Sequence, residues 1–149
     1  MPVKIVTEDY SAVLMRFTGG ARGVYHATQC QAGRKNRLAL EVSGTEGSLV
    51  WDSQEPDVLW IGRRGRPNEI MPRDPANLVA EAAEISHYPG GHAEGFPDAF
   101  KQLALSMYRW VGNGSEGPAP FPTFADGHQE VRICEAIAQS HRQGAWVEV

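Results

Sequence analysis

Between residues 87 and 100 the chain concentrates side chains that bind polar ligands. Imidazoles stand at His87 and His92, a phenol at Tyr88 and a carboxylate at Glu94. A proline and two glycines inside the stretch favour a turn, because proline fixes φ and glycine tolerates the left-handed region. A turn that holds such groups over the start of a helix suits a polar ligand, whereas a solvated connection between a strand and a helix explains the same residues without one.

The same histidines suggest a metal site, since imidazole and carboxylate are the usual ligands of catalytic zinc. His87, His92 and Glu94 are the candidates, with His128 farther along the chain. No H-E-x-x-H or similarly rigid spacing is present, and a flexible turn separates the first two histidines. We therefore predict no metal ligand. A metal-assisted enzyme that uses His87, His92 and Glu94 is the alternative, and metal analysis of the protein would decide it.

A second group of polar donors precedes the third predicted strand. Arg34, Lys35, Asn36 and Arg37 follow one another at the entrance of that strand. Guanidinium, ammonium and amide groups suit the hydroxyls of a polyol, a carboxylate or a phosphate. A solvated basic loop is the alternative interpretation.

Two motifs of nucleotide and nucleophile chemistry can be set aside. Residues 112–117 match the letters G-x-G-x-x-G, but the dinucleotide fingerprint needs a strand before it and a helix after it. Here a predicted helix precedes the motif, and Pro118 and Pro120 follow it. No serine lies in a G-x-S-x-G context. We predict a linker at 112–117 and no cofactor-binding residue in the chain.

The elements that must position these candidates are a strand-rich first half and a helical second half. Alternating apolar residues predict the strands, and apolar residues at helical spacing predict two helices, the second ended by Gly144. The predicted strands cover 11–17, 22–30, 37–43, 48–51 and 57–61, with an edge strand at 70–71 and a terminal strand at 145–149, and the predicted helices cover 97–110 and 125–142. The fold class is α+β: a mostly antiparallel open sheet with helices on one face.

Two helices cover only one side of such a sheet. Seven apolar residues of the predicted strands cannot all face them: Val24, Leu38, Leu40, Leu49, Trp51, Leu59 and Trp60. An apolar second face indicates self-association, although scattered apolar residues on an amphipathic sheet are also normal. We predict that this face forms a homo-oligomer.

The composition limits the class of protein. A length of 149 residues predicts one domain over 1–149, and a formal charge of −4 disfavours a nucleic-acid partner. Cys30 and Cys134 form no CxxC, and we predict buried free thiols in a reducing compartment. No apolar run reaches the roughly 20 residues of a membrane helix, and the N-terminal residues lack a secretory signal pattern. We predict a cytoplasmic protein without a membrane partner.

Six sequence blocks stand in a characteristic order along the chain. They are GRKNRL at 33–38, LEVSGTEGSLVW at 40–51, EPDVLW at 55–60, YPGGHAEGF at 88–96, FPTFADG at 121–127 and GAWVEV at 144–149. Together they resemble the C-terminal domain of oxidoreductases of the Gfo/Idh/MocA type. The resemblance covers nearly the whole chain.

The resemblance implies a role for the chain. Full-length members of that family combine a Rossmann domain that binds NAD or NADP with an α/β domain whose open sheet packs against that of another subunit. They oxidise or reduce sugars and polyols by hydride transfer. The chain would then line one side of a sugar or polyol pocket and form the oligomer. By the same resemblance, the substrate-binding candidates are His92, Tyr88, Arg34 and Asn36.

The catalytic parts of the family have no counterpart in this sequence. Missing are the Rossmann fingerprint, the Glu-Lys-Pro segment with its catalytic lysine, and the helix with D-x-G-x-H-x-x-D spacing; Asp126-Gly127-His128 has the wrong spacing. We therefore expect a domain without its first helix, no catalytic residue, and no hydride transfer by the chain alone. A Rossmann domain in cis or in trans is an expected partner, and a free-standing non-catalytic binding or assembly module is the alternative.

Overall fold

The computed structural model describes residues 3–5 and 7–149 and has the predicted α+β composition. Within these residues the strands β1 to β6 span Tyr10–Arg16, Arg22–Thr28, Ala39–Ser43, Gly47–Asp52, Val58–Arg63 and Glu69–Pro72. A 3-10 turn at Pro75–Asn77 follows, and the helices α1 to α3 span Ala80–Ala83, Phe96–Gly112 and Phe124–Gln143. The predicted strands up to residue 71 and both predicted helices are confirmed, and their ends differ from the prediction by about two residues at most.

The chain divides into two compact units. The first contains the described residues up to Lys35 together with Phe124–Val149, and the second contains Asn36–Thr123. The strands accordingly lie in a two-stranded sheet, β1–β2, and a four-stranded sheet, β3–β6, rather than in the one sheet expected from the sequence. The polar loop between β2 and β3 explains the separation. It contains left-handed backbone at Gly33 and Asn36, with φ of 82° and 54°, instead of a tight hairpin turn.

In the first unit, β1 and β2 form an antiparallel hairpin in which Arg16 lies opposite Arg22. The turn is closed by the Gly20 N–H, which donates to the Phe17 carbonyl at 2.9 Å. Gly20 has a φ of 86°, a conformation that a side chain would strain. The predicted hairpin signal at Thr18–Ala21 is confirmed.

The end of the first unit differs from the prediction. Gly144 ends α3 as predicted, with a φ of 63° and its N–H donating to the Ser140 carbonyl at 2.8 Å. The prediction of a strand at 145–149 is wrong. The Ser140 hydroxyl donates to the Ala145 carbonyl at 2.6 Å, and the Arg16 guanidinium lies 4.0 Å from the centroid of the Trp146 ring. Within the described residues no neighbouring strand pairs with this segment, and an unpaired strand is not stable.

The prediction that the two thiols are buried is also wrong. Cys30 and Cys134 are both free and exposed. Cys134 lies on α3, and within the described structure none of the residues of α3 is fully buried. The Cys30 thiol lies beyond the end of β2, where it donates to Oδ2 of Asp9 at 3.1 Å.

The second unit is built on a four-stranded antiparallel meander. Its register places Leu40 opposite Trp51, and Leu59 opposite Met71. Because side chains alternate along a strand, the register sorts them onto two faces. One face, called the apolar face below, carries Leu40, Val42, Leu49, Trp51, Leu59, Ile61 and Met71. Trp60 lies on the other face, opposite Val50 and Ile70.

Helix α2 begins where the proline predicted it. The Gly95 N–H donates to Oδ2 of Asp98 at 3.1 Å, and Pro97 lies in the first turn, where its missing N–H costs nothing. The helix ends at Gly112, and left-handed backbone at Gly114 and beyond confirms the predicted linker. Among the helices that the structure describes, none combines the length and the apolarity that crossing a membrane requires.

Burial within the single chain is low. Among the described residues no hydrophobic side chain is fully buried, and large apolar ones such as Val24 and Leu40 are exposed. The accessible surface is 12631 Å², whereas two separate compact proteins of the size of these units would expose roughly 9,000 Å². The chain therefore exposes more surface than compact proteins of this size would, and large apolar side chains contribute to it.

Candidate functional site

The glycine-rich stretch from Ser86 to Gly95, called the site loop below, is seated against the segment that follows β6. A Cβ built on Gly90 would lie 3.0 Å from Oδ2 of Asp74, a tighter contact than most Cβ atoms make. Gly91 has a φ of 80°, which disfavours any residue with a side chain. The His92 N–H donates to the Pro89 carbonyl at 3.2 Å and closes the turn. Gly91 is therefore favoured by its backbone conformation, and a side chain at Gly90 would require the Asp74 carboxylate to shift.

Arg73, which follows β6, binds several groups of the site loop. Its Nε donates to Oδ1 of Asp57 at 2.6 Å, and its Nη1 lies 3.1 Å from Oε2 of Glu94. The same guanidinium donates to the Ser86 hydroxyl at 2.7 Å. The side chain of Arg73 is 14% exposed and that of Glu94 is 9% exposed, so these charges interact largely out of water, where they are screened less than surface pairs are.

The carboxylates of this cluster also bind the main chain of the site loop. Glu94 accepts a hydrogen bond from the His87 N–H at 3.0 Å and another from the Ser86 hydroxyl at 3.0 Å. The N–H of Glu94 donates to Oδ2 of Asp57 at 3.3 Å. The two ends of the site loop are thus tied to one group of charges, which we call the Arg73 cluster: Arg73, Asp57 and Glu94.

The charges of the Arg73 cluster stabilise each other. Burial would raise the pKa of Glu94, but the hydrogen bonds from His87 and Ser86 and the positive charge of Arg73 outweigh it, and the pKa is lowered. The hydrogen bond to Asp57 raises the pKa of Arg73, against the smaller opposing effect of burial. Glu94 is therefore ionised near neutral pH and is not a proton donor there.

The second turn of α2 adds a cation beside the site loop. Lys101 Nζ lies 3.0 Å from Oδ1 of Asp98 and 5.4 Å from the centroid of the Tyr88 ring. The pKa of Asp98 is lowered, chiefly by the Gly95 N–H and then by Lys101, and the hydrogen bond to Asp98 raises the pKa of Lys101. An ammonium held over a phenol in this way is a cation–π contact.

The structure places two of the four predicted substrate residues together. Tyr88 and His92 lie on the site loop, and both are exposed. Within the described residues, Asn36 forms no hydrogen bond with either of them, and it lies in a loop at φ 54°. Arg34 belongs to the other compact unit, where its main-chain N–H donates to the Gln31 carbonyl at 3.3 Å.

The residues proposed for a metal are not arranged as a metal site. In the part of the chain that the structure describes, no group of three His, Cys, Asp or Glu side chains is placed to hold a metal ion. The Glu94 carboxylate is bound to Arg73 instead, and Nδ1 of His92 lies 3.4 Å from the Gly90 carbonyl oxygen.

The loop at 112–117 lacks the structural context of a dinucleotide-binding fingerprint. The loop at 112–117 follows a helix, and the next described element is another helix, α3, that begins only at Phe124. The fingerprint instead requires a strand whose tight turn leads directly into the N-terminus of a helix. No step of hydride chemistry can therefore be assigned to these residues.

Arg73, Asp57 and Lys101 are the site residues that sequence reasoning missed. The strand register contained a signal for two of them. Val58 pairs with Pro72 across β5 and β6, and continuing the ladder by one residue places Asp57 opposite Arg73. The Arg73 N–H indeed donates to the Asp57 carbonyl at 2.7 Å. For Lys101 the signal was its spacing of three residues from Asp98 in a first helical turn.

Comparison with known proteins defines the class. Residues 2–149 match the family described as "Oxidoreductase family, C-terminal alpha/beta domain". The chain is 31% identical to levoglucosan dehydrogenase from Pseudarthrobacter phenanthrenivorans, covering 95% of this chain and 36% of that protein. An oxidoreductase from Sinorhizobium meliloti superposes with a TM-score of 0.85 at 30% identity, covering 94% of this chain and 41% of that one.

A further solved structure carries ligands. An inositol dehydrogenase homolog from Azotobacter vinelandii, complexed with NADH and myo-inositol, superposes with a TM-score of 0.82 at 28% identity, covering 95% of this chain and 39% of that one. The chain therefore belongs to the Gfo/Idh/MocA oxidoreductase family and corresponds to its C-terminal α/β domain. It spans between 36% and 41% of the length of these relatives.

Proposed function

We propose that the chain is the substrate-side and oligomerisation domain of an NAD-dependent sugar or polyol oxidoreductase. The proposal rests on the site loop. Arg73 binds the backbone carbonyls of Tyr88 and His92, while the side chains of these two residues remain exposed. The relatives support the substrate class, since one is named for levoglucosan and another was crystallised with myo-inositol.

The exposed groups of the site loop suit a polyol. An imidazole and a phenol offer both donors and acceptors, which the hydroxyls of a sugar require. Arg34 and Asn36 stay part of the proposed wall, although their roles rest on the family resemblance. Hydride transfer also needs a cofactor and a positioned acid or base, so we expect no turnover by this chain alone. A Rossmann domain, joined in cis or supplied in trans, would provide them.

The proposed oligomer forms through the apolar face with a second copy of the chain. Leu40, Val42 and Leu49 lie together on that face and are 61%, 56% and 45% exposed. The Arg63–Glu69 ion pair, at 3.1 Å, lies on the same face toward its end, so charge borders the apolar surface. A patch of apolar side chains with a charged rim is typical of an interface between subunits.

We also propose a cytoplasmic location. It rests on the sequence, in which two cysteines without a CxxC are typical of a reducing compartment.

Titration of the isotope-labelled chain with myo-inositol, levoglucosan and NADH tests the substrate wall. We expect amide shifts at Tyr88 and His92 with a polyol, and none at residues 112–117 with NADH. His92→Ala should weaken the polyol response, while His141→Ala, at an exposed histidine of α3, should not. Polyol shifts that cluster away from the site loop, or their absence, would refute the substrate role.

A further inference from the structure

Besides the Ser86 and Glu94 side chains, Arg73 binds two backbone carbonyls of the site loop, those of Tyr88 and His92, and not the side chains of these two residues. Its Nη1 donates to the Tyr88 carbonyl at 3.0 Å and its Nη2 donates to the His92 carbonyl at 2.5 Å. Two carbonyls four residues apart are thereby drawn to one planar group. Fixing a carbonyl fixes the plane of its peptide group, and this restricts the backbone dihedral through which the side chain of the same residue is oriented.

The guanidinium is itself held in one orientation. Asp57 engages its Nε side at 2.6 Å, and Glu94 lies 3.1 Å from Nη1. Because the five donors of an arginine form a rigid fork, two carboxylates on different sides leave it little freedom to rotate. The remaining donors then point at the site loop in a fixed geometry.

We propose that Arg73 is a positioning residue for the substrate wall, setting the direction of the Tyr88 and His92 side chains through their carbonyls. The inference rests on the proposed polyol-binding function of these two residues. It adds a residue that does not touch the substrate but on which the shape of the site depends. Pre-organisation of this kind lowers the cost of ordering a loop when a ligand binds.

Lysine distinguishes positioning from simple charge neutralisation. Arg73→Lys keeps the positive charge beside Asp57 and Glu94, but an ammonium on a flexible stem cannot reach both carbonyls as a fork does. A role limited to neutralising the two carboxylates would therefore be rescued by lysine. A positioning role would not.

The experiment compares the wild-type chain with Arg73→Lys and with Arg63→Lys as the matched control. Arg63 also pairs with a carboxylate, Glu69, but it contacts no residue of the site loop in the described structure. The readouts are hydrogen exchange of the amides at 87–94, exchange in β3 to β5, and the dissociation constant for myo-inositol measured by NMR.

For Arg73→Lys we expect exchange at 87–94 to accelerate at least about tenfold while β3 to β5 stay protected, with polyol affinity at least about tenfold weaker. Arg63→Lys should leave both unchanged. Wild-type polyol affinity and loop protection in Arg73→Lys would overturn the inference, as would uniform loss of protection throughout the chain. If the wild-type chain bound no polyol, the proposed function would fail, and loop exchange alone would still decide whether Arg73 sets the loop.

Discussion

Placing a charge on the apolar face should break the proposed oligomer. Leu40 is the most informative position, because it lies on this face of β3 and is 61% exposed in the single chain. Leu40→Lys therefore changes a side chain that is mostly exposed to solvent in a single copy of the chain. Its main effect should fall on association and not on folding.

The magnitude follows from the exposed fraction of Leu40. Fully burying a leucine side chain contributes roughly 1.5–3 kcal/mol, so covering the exposed 61% contributes about 1.5 kcal/mol per copy. A two-fold interface contains the position twice, and the loss is then about 3 kcal/mol, or about 150-fold in the dissociation constant. Desolvating two lysines would add to this loss.

Analytical ultracentrifugation over a range of concentrations measures the association. Ile70→Lys is the matched control, because Ile70 is 72% exposed but lies on the opposite face, paired with Trp60. We expect the wild-type chain and Ile70→Lys to associate alike and Leu40→Lys to be monomeric. Circular dichroism should show the same fold for all three.

Either of two results would refute this reasoning. Leu40→Lys that associates as the wild-type chain does would show that the apolar face is not the interface. Ile70→Lys that dissociates while Leu40→Lys does not would place the interface on the opposite face of the sheet.

Three further predictions concern the site loop and the exposed thiol. Because the pKa of Glu94 is lowered in the folded chain, its contribution to stability is present above the usual value of 4.5 and is lost as pH falls through the folded pKa. The free energy of unfolding in urea should therefore fall less between neutral pH and about pH 3 for Glu94→Gln than for the wild-type chain. An equal fall would contradict the lowered pKa. Gly91→Ala should lower the free energy of unfolding in urea by about 1–2 kcal/mol, because Gly91 has a left-handed backbone. Gly112→Ala is the control and should be neutral or stabilising, because Gly112 is a helical glycine with open space around it. Equal effects would show that the turn tolerates a side chain. The hydrogen bond to Asp9 raises the pKa of the Cys30 thiol, so Asp9→Asn should speed the alkylation of Cys30 relative to that of Cys134 in the same chain. Mass spectrometry measures both rates, and an unchanged ratio of the two would be evidence against the contact between Cys30 and Asp9.

The sequence predicted the elements of the fold well, because their signals are local. Alternation identified the strands, Pro97 marked the start of α2, and Gly144 marked the end of α3. The strand predicted at 145–149 was wrong because a strand exists only when another strand pairs with it. Apolar alternation over five residues contains no information about that neighbour.

The site was only partly predictable, because some of its contacts join residues that are distant in the sequence and meet only through strand pairing. The site loop was found because prolines, glycines and histidines mark it in the sequence. Arg73 and Asp57 were missed, since they lie 16 residues apart and meet only through the register of β5 and β6. The burial of Cys134 was predicted from the apolar stripe of α3, but a stripe shows which side seeks a partner and not whether this chain supplies one.

A chimera can show whether this chain completes the substrate side of a nucleotide-dependent sugar or polyol oxidoreductase, as we propose. In it, this chain replaces the C-terminal domain of the levoglucosan dehydrogenase relative, and the NAD-binding part of that enzyme is retained. We expect the chimera to form NADH with a sugar or polyol and to lose this activity on His92→Ala. A chimera that folds and binds NADH but oxidises no sugar or polyol, or one unaffected by His92→Ala, would show that the chain does not have this function.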